Sequence, residues 1–337
     1  MRCRLYAPLN GAATLIAFFI FLFSGVLTAW GEDRGLLYVV HIVPKTVGIF
    51  TPDPESSKMV GTIPVGNVPL NIAISPNGKW LAVSHREPSG ETPDVVWIIA
   101  GGKKEVVRKI DIYLTRYRER GEIFLLFSND GEKLYVVDSF TRFLDVIRTS
   151  DWRLIKKVTL GIHPQNPLLS RDGRNLYVPN LYSREILIID VEKDKVVDSV
   201  KVQGLPSAVA LSRDEKTLYI ADAENHRVIF IDTTSRGVIK TVSVGSSPQN
   251  IILADGFLYV LNTYSNTLSI IDTRTRENIK NIGIGILPQK MTYDPNGKRL
   301  YVVSQDTSIS VVDTARKERL KSIGTDITPM GIVYAPY

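Results

Sequence analysis

The sequence predicts an all-β fold, a seven-bladed β-propeller whose ring is closed by the C-terminal strand pairing with the N-terminal blade. Three observations predict it. A strand of the "LY" type starts at Leu37, Trp80, Leu134, Leu176, Leu218, Leu258 and Leu300, at intervals of 43, 54, 42, 42, 40 and 42 residues; repeats of this length with no helical period are the mark of stacked four-stranded sheets. Turn signals such as "SPNG" at Ser75, "SNDG" at Ser128, "SRDG" at Ser170 and "DPNG" at Asp294 cut each unit into short strands. The two ends of the repeat array are complementary: the first unit lacks its leading strand, and the last segment is a leading strand with nothing after it.

Residues 1–31 stand apart from the repeats. Arg2 and Arg4 precede the uncharged run from Gly11 to Trp30, and Ala29 and Gly31 offer small residues for cleavage. This is the pattern of a secretory signal peptide. The run is also long enough to remain as an N-terminal membrane anchor. Either way residues 35–337 are expected to be exported as a single domain, to a periplasmic, cell-surface or secreted location. The one cysteine, Cys3, precedes the apolar run. The exported part can therefore form no disulfide, cysteine-ligated metal site or c-type haem link.

Each unit then has four elements. The leading strand opens on proline, as in "PLNIAIS" (Pro69), "PQNPLLS" (Pro164), "PSAVALS" (Pro206), "PQNIILA" (Pro248), "PQKMTYD" (Pro288) and "PMGIVYA" (Pro329); one unit has Glu122 there instead. Proline is tolerated at the first residue of a strand. The "LY" strand comes second. The third is an apolar run closed by Asp190, Asp232, Asp272 or Asp313, which can bond the backbone of its own turn. Runs such as "VIFI" and "ILII" lack alternation and must be buried on both faces. The fourth runs toward a glycine, as in "IKTVSVG" and "IKNIGIG".

These features give a resemblance to a known family. The "LYVxN" strand (Asn180, Asn262), the "PDG"-like turn and the "V-I-D…V…I-x-V-G" ending resemble YVTN-family β-propeller repeats. "AENHRVIFID", from Ala223, is similar to an NHL repeat. The likeness spans nearly all of 35–337. It implies a propeller related to surface-layer-type, binding, lactonase and haem-d1 proteins, which share architecture and not activity.

Strand direction puts the "G-x-x-P" loops and the loops after "LYVxN" on one face, the top. A ring of amides is expected at the channel mouth there: Asn71, Gln165, Asn166, Gln249, Asn250 and Gln289, with Lys290 and the nearby His163. Such a set suits hydrogen bonds to a neutral or anionic ligand and is poor in the carboxylates a calcium site needs. All four histidines (His41, His85, His163, His226) belong to the top but to different units, so no metal site is expected. No nucleophile motif or phosphate loop is present, and neither a catalytic residue nor a cofactor is expected. The 54-residue interval holds two insertions. One lies within Ser84–Val96. The other places Tyr113, Arg116, Tyr117, Arg118 and Arg120 close together, as an anchor for a protein or envelope partner. The bottom carries basic residues such as Arg171, Arg174 and Arg236 among acids, and net charge is +6. Nucleic acid is not the expected partner. The leading expectation is an exported binding or scaffold module, with a lactonase-type or haem-d1-like propeller as the alternative.

Overall fold

The computed structural model describes residues 35–86, 93–113 and 122–336. The segment read as a signal or anchor lies outside these residues. The described residues contain no helix, and their strands form seven antiparallel sheets, the seven blades of a propeller. Each sheet follows chain order from an inner strand to an outer one, except the first.

That exception closes the ring. The strand Pro329–Ala335 pairs with Leu36–His41, with Leu36 opposite Ala335 and Val40 opposite Gly331. It is the inner strand of blade one, whose other three strands are N-terminal. The same seam is packed from both sides. Leu37, Val39 and Phe50 of blade one, Tyr301, Val303, Ile309 and Val311 of blade seven, and Ile332 and Tyr334 of the closing strand form one buried cluster. Each large side chain so buried contributes roughly 1.5–3 kcal/mol.

The unbroken apolar runs are sandwiched as expected. Val228 to Ile231 of blade five are all buried. One face packs within its own blade pair and the other against the next, since each of the described clusters joins two neighbouring blades. The outer strands differ, with exposed Lys-rich segments such as Arg153–Thr159 and Lys195–Lys201. In six of the seven blades the outer strand also shows a register shift, for example between Ile188 and Ile189 on its partner strand. Bulges and lysines keep a free sheet edge from pairing with another chain.

The turns explain the repeated residues. Ser75, Ser128, Ser170 and Ser212 each accept the amide of the residue five positions on at 2.9 Å. Their hydroxyls donate to Asn77, Asp130, Asp172 and Asp214, which closes the bottom turn. Gly131 holds this turn with φ +73°, a left-handed conformation that costs glycine least. The aspartates after the third strand cap their own turns: Asp232 accepts from the amides of Thr234 and Ser235, and Asp272 from Arg274 and Thr275.

The second strand ends in, or in blade seven is followed by, a buried polar residue: His41, His85, Asp138, Asn180, Asp222, Asn262 and Ser304. In several blades it caps the top turn that follows. Asp138 accepts the Phe140 amide at 2.9 Å, and the Asn262 amide group donates to Thr267 at 3.1 Å and Ser269 at 2.8 Å.

Two strands are shorter than the sequence predicts. The inner strand of blade four is only Leu168–Leu169, joined by an isolated bridge between Pro164 and Asn180. Pro167 lacks the ladder donor between them. The outer strand of blade seven is split into Glu318–Arg319 and Ile323–Gly324.

Candidate functional site

The inner strands begin at the top of the channel, and the "G-x-x-P" loops deliver their first residues to it. The residue before the proline is left-handed in four of these loops: Val68, His163, Ser247 and Leu287, with φ between +36° and +58°. Left-handed non-glycine residues recur in turns throughout the described chain, and in these four loops they stand at the same step before the inner strand. His163, Ser247 and Leu287 all line one cavity of about 600 Å³.

That cavity lies over blades three to seven. Its wall includes Gln165, Asn166, Gln249, Asn250, Gln289 and Lys290, together with His163. Seven of the eight residues expected at the mouth are thus brought together. The eighth, Asn71, is nearly buried and lines a narrower recess of about 100 Å³, which it shares with Asn166, Asn250 and Lys290. The Asn71 amide group donates to the Ile123 carbonyl at 3.0 Å and ties blade two to blade three. In blade one the equivalent residue is Gly331, where a Cβ would meet the Leu70 carbonyl oxygen at 2.8 Å, and blade one reaches the recess through Ile332.

The three glutamines share one geometry. The Gln165 amide nitrogen donates to the His163 carbonyl at 3.2 Å, that of Gln289 to the Leu287 carbonyl at 3.1 Å, and that of Gln249 to the Ser247 hydroxyl at 2.9 Å. One N–H of each nitrogen is used on the residue two places back. The carboxamide oxygens accept no hydrogen bond within the described residues and remain as acceptors on the cavity wall. Ser207, by contrast, spends its hydroxyl on the Ala221 and Pro248 carbonyls.

One interaction crosses the mouth. Lys290 Nζ of blade seven meets Glu122 Oε2 of blade three at 2.7 Å, and the ammonium sits 4.7 Å over the Phe124 ring. The lysine side chain is 20% exposed and the glutamate 45%. A pair this open to water stabilises the fold by less than about 1 kcal/mol. Glu122 and Lys290 are both exceptions to their repeat columns, which hold proline and mostly amides or small residues. Burial holds the His163 imidazole below its usual pKa, and the Glu122 carboxylate pulls in the other direction. Tyr182 packs edge-on against the His163 ring at 5.1 Å.

Phe124, in the same repeat column as Asn166 and Lys290, lines the cavity; the contributions of Thr263, Tyr264 and Gln305 are not anticipated from the sequence. Tyr264 and Gln305 come from loops after the second strand that share no motif. The other histidines do not join the site. His41 and His85 are buried at strand ends of blades one and two, and His226 accepts the Ser247 amide at 3.2 Å. Among the described residues no three His, Cys, Asp or Glu side chains are grouped so as to hold a metal ion. Of the expected partner loop, Tyr113 ends the outer strand Glu105–Tyr113, while Arg116, Tyr117, Arg118 and Arg120 lie outside the described residues. On the bottom face Arg174 and Arg236 are paired with Asp172 and Asp198.

The YNCE-like β-propeller family model matches residues 169–257, from the inner strand of blade four into the second strand of blade six. No curated protein matches the chain by sequence. Among solved structures the chain is similar to a putative 6-phosphogluconolactonase from Bacteroides fragilis, at 17% identity, 91% of this chain, 99% of that one and a TM-score of 0.73. It is also similar to the dihydro-haem d1 dehydrogenase NirN, at 14% identity, 89% of this chain, 75% of that one and a TM-score of 0.66. Kuenenia stuttgartiensis hydrazine synthase gives 19% identity, 79% and 89% coverage and a TM-score of 0.67. Identities this low establish the propeller fold and nothing about chemistry.

Proposed function

We propose that the protein is an exported β-propeller binding module that takes a hydroxyl-rich small molecule, or the terminal unit of an envelope polymer, in the mouth of its channel. One observation carries the reading: the wall of a cavity of about 600 Å³ carries the carboxamides of Gln165, Gln249 and Gln289, whose oxygens accept no hydrogen bond within the described residues. Its size suits a small ligand. Its wall offers acceptors, which hydroxyl groups satisfy. Export rests on residues 1–31, and N-terminal sequencing of the mature protein is expected to begin at Glu32. A protein partner at Tyr113–Arg120 would add a second contact on the same face.

Calorimetric titration with a panel of neutral mono- and oligosaccharides tests the site. Saturable binding is expected, and Gln165→Leu with Gln289→Leu should weaken it about tenfold, since each hydrogen bond contributes roughly 0.5–1.5 kcal/mol. Absence of saccharide binding, or binding indifferent to both substitutions, overturns the proposal. A lactonase reading is favoured by the company of Glu122 and His163 on the wall. Acid release from δ-gluconolactone would support it over simple binding.

A further inference from the structure

Among the described residues the Lys290–Glu122 bridge is supported only by the Phe124 ring beneath the ammonium. It spans 168 residues of sequence and joins blade three to blade seven. Among the described residues Lys290 and Glu122 are the one oppositely charged pair on the cavity wall. Their exposures are unequal: the carboxylate can turn to water, and the ammonium, seated over Phe124, cannot follow it as freely.

Lys290 of the bridge also lines the 100 Å³ recess. Lys290, Asn166 and Asn250 belong to both this recess and the larger cavity. The three residues occupy one repeat position, second after the start of the inner strand, so the ring itself aims them at a common axis. No hydrogen bond of the described residues uses the Asn166 or Asn250 side chain. Their amides can therefore turn to donate.

We infer that Lys290, Asn166 and Asn250 form an oxyanion subsite at the throat of the channel, and that Glu122 is its displaceable counter-ion. A carboxylate or phosphate group on a ligand would take the place of the Glu122 carboxylate at Lys290 and accept from the two amides. No buried charge is left unpaired by the exchange, because Glu122 returns to solvent. Glu122 competes with the anion, so an empty site carries no net charge and resists adventitious anions. The subsite rests on the reading of the mouth as a ligand pocket, yet it depends on residues other than the three glutamines.

Calorimetric titration of the purified protein with sodium acetate and, separately, inorganic phosphate at constant ionic strength tests it. Weak saturable binding is expected in the wild type. Glu122→Gln should tighten it about tenfold by removing the competitor, Lys290→Met should abolish it, and Lys290→Arg should retain it. Preference for acetate identifies a carboxylate head group, and preference for phosphate a phosphoryl group. Equal affinity in wild type and Glu122→Gln, or binding that survives Lys290→Met in a protein of unchanged melting temperature, overturns the subsite. Saccharide binding with no anion response leaves the pocket and removes only this inference. Anion binding without saccharide binding does the reverse.

Discussion

Removing one hydroxyl should have opposite consequences in two blades. The second-strand tyrosines are buried and reach toward the bottom turn of the next blade. Tyr259 donates to the Thr314 carbonyl at 3.0 Å, and Tyr301 to the Pro52 carbonyl at 2.8 Å across the ring seam. Tyr135 is equally buried, and its hydroxyl has no partner among the described residues. The reason is two residues upstream on the same strand face. Lys133 Nζ takes the Val191 carbonyl at 2.7 Å and pairs with Asp194 at 2.8 Å. Val191 follows Asp190 as Thr314 follows Asp313, so the lysine holds the acceptor the tyrosine would use. In blade six the upstream residue is Phe257, which cannot compete. Tyr259→Phe therefore strands a buried carbonyl, at a cost of about 1–3 kcal/mol. Tyr135→Phe removes an unsatisfied hydroxyl and should be neutral or stabilising by up to about 1 kcal/mol. At about 2 °C per kcal/mol for a large domain, circular dichroism melting should place Tyr259→Phe some 2–6 °C below wild type. Tyr135→Phe should melt at or slightly above wild type. In a Lys133→Met background Tyr135→Phe should become costly, as a double-mutant cycle would record. Equal losses for both single variants would refute the reasoning.

Acid should weaken the fold through its buried histidines. Burial holds the His85 pKa at about 4, where its ring accepts the Gly66 amide at 3.2 Å and packs 5.0 Å from Trp97. The unfolded chain takes up this proton first, near pH 6.5. Stability is therefore complete above that value and is lost as pH falls toward 4, by about 3 kcal/mol at the lower end. Burial lowers His41 as well and adds with the same sign. His85→Gln should be less stable at pH 7.5 and show a flatter decline; parallel melting curves for the two proteins between pH 7 and 4.5 would count against the assignment. Deleting residues 329–337 should open the seam, expose the cluster around Tyr301 and Ile332, and bring on dye binding and aggregation below the wild-type melting temperature. A truncated protein that melts with the wild type would contradict the closure.

Much of the architecture is legible because the repeat repeats its causes. Leu300, Tyr301 and Asp313 recur since blades must stack and close their turns, and most bury a tyrosine at this position, though blade two has Ala82 there; these demands are local or involve only the next blade. The channel ring of Gln165, Gln249 and Gln289 is legible for the same reason: one column of the repeat maps to one height on the axis. Pro167 shows the limit of that logic, since a single residue shortened its strand without changing the blade count.

The sequence alone thus determined the blades, the order in which they close and the column that faces the mouth, because those follow from short-range periodicity. Which exceptions to the columns meet was decided only by the tertiary structure. Glu122 and Lys290 are each visible as departures from a pattern, but only closure of the ring sets blade three across from blade seven and brings the two charges to 2.7 Å. Likewise Tyr135 looks the same as Tyr259 in sequence. Its hydroxyl is orphaned because Lys133 reaches into the neighbouring blade first, and competition for one carbonyl exists only in three dimensions.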